Sequence, residues 1–176
     1  MRPRFLLPCC LILFACAGSP PSSELGKLYR DNLEDAGGGS ASALAETESR
    51  RAGRVFRVRE LAAQGPIESI EDRLFAASIL LDSPEMRDLT LAEDLALSAA
   101  LDGDDRGFPL AAEAIDRQCL TLGQPQRYGT QYVWSPQDET WSLYPTDPAT
   151  SDAERRSMGV PTLAEARALA AELDAR

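Results

Sequence analysis

Six consecutive residues, Gln126-Arg127-Tyr128-Gly129-Thr130-Gln131, gather two amides, a guanidinium, a phenol and a hydroxyl around one glycine. Together these groups can satisfy a polar ligand on several sides. Pro125 fixes one dihedral just before them, and Gly129 permits a positive φ or a close backbone approach that a side chain would block. Asp116 and Arg117 fall about two turns before the end of the helix expected upstream, on the flanks of its apolar stripe, where either can reach under the loop. One reading is structural: Asp116 and Gln126 tie down loop backbone amides, Arg117 pairs with Glu113 one turn back, and Tyr128 covers the core. A second makes Asp116, Arg117, Gln126, Arg127, Tyr128, Thr130 and Gln131 the lining of a cleft for a small polar or peptide ligand. A third is hydrolysis with Asp116 and Asp147 as acid and base, although no spacing fixes their separation.

What is missing prunes the chemistry further. The chain has no histidine, which excludes Ser-His-Asp and Cys-His catalysis and the commonest transition-metal ligand. Of the 4 cysteines, Cys9 and Cys10 lie in the leader described below, Cys16 is expected to be acylated, and Cys119 is left to pack as a small apolar side chain without a disulfide partner. The acidic residues have no calcium-loop spacing, so neither metal nor cofactor is expected.

The amino terminus has the pattern of an export signal. Arg2 and Arg4 precede an apolar core of 11 residues, Phe5 to Ala15, with the small Ala15 just before Cys16. A membrane-spanning helix needs about 20 apolar residues, and Pro8 would disturb one, so residues 1–15 are expected to be removed rather than kept as an anchor. Leu13-Phe14-Ala15-Cys16 resembles a bacterial lipobox, which implies that Cys16 becomes the first mature residue and carries acyl groups on its thiol and amine. Several chains together anchor stably, each buried methylene contributing about 0.8 kcal/mol. Ala17 follows where a retention signal would have Asp, pointing to the outer membrane, with plain secretion as the alternative.

Removal of the leader leaves 161 of the 176 residues, in which 16 basic residues face 28 acidic ones for a net charge of −12. That balance excludes a nucleic-acid surface, because the one local basic run, Arg50, Arg51, Arg54, Arg57 and Arg59, is spread along a helix. The run is expected to solvate an outer face, the alternative being a contact with anionic headgroups beneath the anchor.

The elements that must position these groups are mainly helical. Residues 16–40 are expected to hold the lipidated cysteine, a Ser/Pro/Gly tether and a short helix over Glu24 to Glu34, and residues 41–176 a single domain. Within it, a helix from about Ala43 ends at Gly65-Pro66. Ser69-x-x-Asp72 opens the next, which stops at Ser83-Pro84, and Thr90-x-x-Glu93 is expected to cap the third. A fourth carries Ala111, Ile115, Cys119 and Leu122 on one stripe and closes at Gly123. Two helical hairpins about 36 residues apart suit either tetratricopeptide-like or bundle packing. The aromatic, β-branched runs at about 131–144 predict a β-hairpin around a turn at Ser135 to Glu139, with Trp134 and Trp141 pressed on the helices. Ser151-x-x-Glu154 and Thr162-x-x-Glu165 cap two last helices, the second with a stripe of Leu163, Ala166, Ala170 and Leu173.

The stretch Asp116-Arg117-x-x-Leu120, Gly123-x-Pro125-Gln126-Arg127-Tyr128-Gly129-Thr130-Gln131, Asp147-Pro148 and Arg155-Arg156-x-x-Gly159-Val160-Pro161 resembles a bacterial family of domains of unknown function, over about Ile70 to Ala170. The resemblance implies a mostly helical domain found in secreted, lipid-anchored and cytoplasmic proteins, with no activity attached. Members often carry a Gln-His pair where this chain has Leu81-Asp82.

Three function classes follow. The first is a lipid-anchored module that offers helical surfaces to an envelope protein or peptide. The second is a receptor for a small polar ligand at the 126–131 loop, and the third is the carboxylate hydrolase. The first is the expectation, since the anchor, the missing histidine and the helical pairs demand nothing else.

Overall fold

The computed structural model describes residues 23–35 and 41–174. The leader, Cys16, most of the tether and the glycine-rich break at 36–40 lie outside the described residues. The protein is mainly helical, with α1 (Glu24–Glu34), α2 (Ala41–Gln64), α3 (Ile70–Leu80), α4 (Met86–Leu101), α5 (Gly107–Thr121), β1 (Tyr132–Ser135), β2 (Thr140–Leu143), α6 (Asp152–Ser157) and α7 (Leu163–Asp174). Contacts divide the described chain inside α5, between Ala111 and Ala112, into two compact units.

In the first unit α3 is the centre. Leu74, Phe75, Ala76, Ala77, Ile79 and Leu80 are all buried, because α1, α2 and α4 each pack on this one helix. A helix that is apolar all round belongs inside. Ser69 caps it by accepting from Asp72 N at 3.3 Å, and Asp72 in turn accepts from the Ser23 hydroxyl, which itself caps α1. α1, expected to stand with the tether, therefore joins the packed helices. On α2, Val55 and Val58 are buried.

Two expectations fail here, one of them in part, for physical reasons. Thr90 does not cap α4, which starts one turn earlier at Met86; its hydroxyl donates to Met86 O at 3.0 Å from inside the helix. Glu85 is the N-cap residue of α4 and makes no side-chain cap bond; just before it, Ser83 Oγ accepts from Glu85 N at 3.1 Å, bracing the turn between α3 and α4. The arginine run of α2 is only in part the solvated face expected: Arg50 is exposed and Arg51, Arg57 and Arg59 are half-buried, but Arg54 turns inward. Arg54 is buried and pairs with Asp35 at 2.7 Å, Arg50 pairs with the same carboxylate at 2.7 Å, Arg57 with Glu24 at 2.6 Å and Arg59 with Asp88 at 2.7 Å. Acids on α1 and at the start of α4 turn the run into a seam of ion pairs.

Gly107 opens α5 where it crosses α4. A Cβ there would sit 2.1 Å from Ala96 O, so the crossing admits glycine alone.

The second unit is organised by the hairpin and the last helix. β1 and β2 pair antiparallel with Trp134 opposite Trp141, ring centroids 5.7 Å apart, and β2 packs on α7. The turn is one residue shorter than predicted, since Ser135 pairs with Thr140 and leaves Pro136–Glu139 as the loop. Ser135 Oγ accepts from Asp138 N, which braces that loop. Both predicted capping boxes form: Ser151 and Glu154 cap each other's backbone amides at α6, and Thr162 and Glu165 do so at α7. Ala166 and Ala170 are buried along α7 as its stripe requires. Leu122, placed on the α5 stripe from sequence, is 63% exposed because the helix ends at Thr121. Cys119 is half-buried and free.

Candidate functional site

The loop from Gln126 to Gln131 is built on a single buried carboxylate. Asp116, on the buried side of α5, has no exposed surface. Its Oδ1 accepts from Arg127 N at 2.7 Å and Tyr128 N at 2.8 Å. Its Oδ2 accepts from Thr130 N at 2.9 Å and from the Thr130 hydroxyl at 2.8 Å. Four donors on two oxygens fill the acceptor capacity of the group. Burial raises the Asp116 carboxyl above its ordinary range, while the four hydrogen bonds pull it back toward the anion.

Gln126 does the same work from the other side. It too has no exposed surface. Its Oε1 accepts from Gln131 N at 2.8 Å, and its Nε2 donates to Gln131 O and Tyr144 O, each at 3.0 Å. Its backbone N donates to Pro145 O at 3.0 Å and its carbonyl accepts from Asp147 N at 2.8 Å. One glutamine thus joins the loop to the segment that leaves the hairpin, across an isolated bridge between Gln126 and Thr146. Gly129 turns the chain with φ 85°. A Cβ there would meet its nearest neighbours at 3.8 Å, so the dihedral and not the space demands glycine.

The remaining candidates divide between inside and outside. Tyr128 is buried with Ala112 and Val160, flanked by Ile115 and Met158, and Gln131 is buried with its amide on the Thr130 hydroxyl at 3.0 Å. Arg117 pairs with Glu113 at 3.5 Å, one turn back. Arg127 alone presents its side chain to solvent, its guanidinium 5.4 Å from the centre of the Tyr128 ring. The structural reading of Asp116, Arg117, Gln126 and Tyr128 therefore matches the geometry contact by contact.

Sequence reasoning missed Arg155. It is 2% exposed, and its Nη1 donates to Thr150 O at 2.7 Å while Nη2 donates to Arg127 O at 3.2 Å. Asp152 beside it accepts from Arg155 Nη1 at 3.3 Å and from Leu163 N at 2.9 Å, the amide opening α7. The backbone bond to Leu163 holds the Asp152 carboxyl below its usual range. The local signal was the Asp-x-x-Arg spacing in a six-residue helix, which places the two on one face.

Chemically, the loop is a closed polar plug. Asp147 spends a carboxylate oxygen on Ala149 N at 2.9 Å in its own turn, while Asp116 spends both of its oxygens on the loop. Burial, and then the nearby Asp116 charge, push the Cys119 thiol up, away from the reactive thiolate. Among the described residues no group of three acidic, cysteine or histidine side chains could hold a metal ion. Two open hollows lie elsewhere, both in the first unit. One, of about 430 Å³, is lined by Leu28, Asp31, Glu34, Asp35, Arg50, Gly53 and Arg54. The other, of about 470 Å³, lies between the turn at Pro66–Glu68 and α4, with Arg73 at its side. Among the described residues no helix is long and apolar enough to cross a membrane. No family model, no curated protein and no solved structure matches this chain.

Proposed function

We propose that this chain is a lipid-anchored interaction module of the cell envelope, exported by residues 1–15, tethered through acylated Cys16 and bound to a protein or peptide partner through its helices. The observation that carries this reading is the internal use of the motif loop: Asp116 and Gln126 have no exposed surface and Gln131 only 4%. A receptor for a small polar ligand needs these groups turned outward, and a carboxylate hydrolase needs Asp116 in reach of substrate. A surface-docking function needs neither. It asks for a rigid helical body, and buried polar networks that are fully satisfied supply rigidity. In this reading the resemblance of residues 70–170 to a domain family contributes a framework without an activity, and the outer membrane is the site of anchorage.

Two measurements test it. Mass spectrometry of the mature protein is expected to show acylated Cys16 as the first residue; an unprocessed, unmodified start removes the anchor. Affinity capture of the tagged, lipidated protein from detergent-solubilised envelopes is expected to recover a stoichiometric partner. Repeated capture of nothing would overturn the interaction reading.

A further inference from the structure

Ser23 is a fixed point where the chain enters the first unit. Its Oγ accepts from Gly26 N at 3.0 Å, capping α1, and the same hydroxyl donates to Asp72 in the first turn of α3. The next residue, Glu24, accepts from Arg57 of α2 at 2.6 Å. The amino-terminal ends of α1 and α3 and the later part of α2 therefore meet at one corner. Six residues, 17–22, separate Ser23 from Cys16. The Cα steps between them reach at most about 25 Å when fully extended, and a flexible chain of that length averages about 15 Å.

That is short against the unit it holds. α2 alone, with 24 residues, is about 36 Å long. A lipid on Cys16 puts the bilayer on one side of the corner, the bilayer excludes the helices from its own volume, and about 25 Å of chain is too little to pass around them. Charge does not do the holding. Exposed Glu24, Glu60, Glu68 and Glu71 stand near the corner with Lys27, and Arg57 is spent on the first two. We infer that the corner formed by Ser23, Glu24 and Asp72 is the side of the first unit that faces the lipid headgroups, held there by the length of the tether, and that the far end of α3, with the turn at 81–85, faces away. α3 separates the two ends by 11 residues, about 16 Å. This rests on the proposed acylation of Cys16; it assigns lipid to one end of the unit and leaves a protein partner the other surfaces.

The test uses the mature lipidated chain in vesicles of phosphatidylethanolamine with a minority of phosphatidylglycerol. A fluorescent amino acid replaces Glu71 or Glu85, both exposed, and the headgroups carry an acceptor dye. Energy transfer from position 71 is expected to exceed that from position 85 by about twofold or more, given about 16 Å between the ends of α3. An insert of about 20 glycine and serine residues after Ala17 extends the reach of the tether past the length of α2 and should bring the two to equality. Parent-like melting temperatures in both labelled proteins show that the fold is kept. Equal transfer from the two positions with the native tether, or stronger transfer from 85, overturns the inference. So does a difference that survives the insert, because contact between protein and lipid would then set the facing. Protein that leaves the vesicles, with Cys16 unmodified by mass spectrometry, removes the anchor itself and the inference with it, which separates that failure from a wrong facing of an anchored chain.

Discussion

Asp116 accepts four hydrogen bonds through two oxygens, so the effect of replacing it is set by the donors left behind. Asp116→Asn keeps the shape but turns an NH₂ toward N–H or O–H donors that have no other acceptor. The expected loss is about 2–4 kcal/mol of unfolding free energy, read from urea denaturation. Thr130→Val removes a hydroxyl that donates to Asp116 Oδ2 and accepts from Gln131 Nε2, and should cost about 1–2 kcal/mol. If Asp116→Asn melts like the parent, the carboxylate is not the loop's anchor. These roles were legible in the sequence, because an acid two turns before the end of a helix and a Pro-Gln start to a loop point toward nearby backbone amides. Arg155 and Arg54 were not legible. Arg155 is one of an adjacent pair and Arg54 one of a run of five, and which one turns inward depends on carbonyls or carboxylates supplied from distant positions, Arg127 O for the first and Asp35 for the second.

At the scale of the element, one short pattern had two outcomes. Ser151 and Thr162 each open a helix with a reciprocal glutamate three residues on, whereas Thr90 lies inside α4. The difference is where the helix begins: α4 starts at Met86, after Glu85 as N-cap, one turn before Thr90 is reached. Ser151→Ala and Thr162→Ala should therefore each cost about 1 kcal/mol. Thr90→Ala should be neutral or slightly stabilising, since alanine is the better helix former; thermal melts of the three variants decide this. The α1–α2 pairing carries its own signature in acid. Hydrogen bonds from Arg50, then Arg54, hold the Asp35 carboxyl at about 2, below its ordinary 3.8. A carboxyl lowered in the folded state stabilises above its unfolded value and loses that contribution as pH falls through the folded one. Protection of the α1 amides against hydrogen exchange, relative to their intrinsic rates, should thus fall between about pH 4 and pH 2. Asp35→Asn should flatten that dependence, and a parent-like acid response in the variant would place its cause elsewhere.

For the molecule as a whole, the helical architecture and the hairpin were readable because period-3.6 stripes, caps and an aromatic two-strand pattern agree with one another. The division of contacts within α5 was not, since a continuous helix bears no local mark of where its packing partners change. Nor does composition mark the ion-pair seam: a run of five arginines looks the same whether it meets solvent or the acids of its own fold. The proposed anchor makes a prediction that separates attachment from folding. Every helix cap and ion pair described above engages residues from Ser23 onward, so Cys16→Ser should leave the melting temperature unchanged. The same substitution removes the acyl chains, and with about 0.8 kcal/mol per buried methylene removed, the protein should shift from the membrane to the soluble fraction or to an unprocessed form. A Cys16→Ser variant that stays processed and membrane-bound after a high-salt wash would mean that the protein is held by its surface or its partner, and the envelope address would then have to be argued from the helices alone.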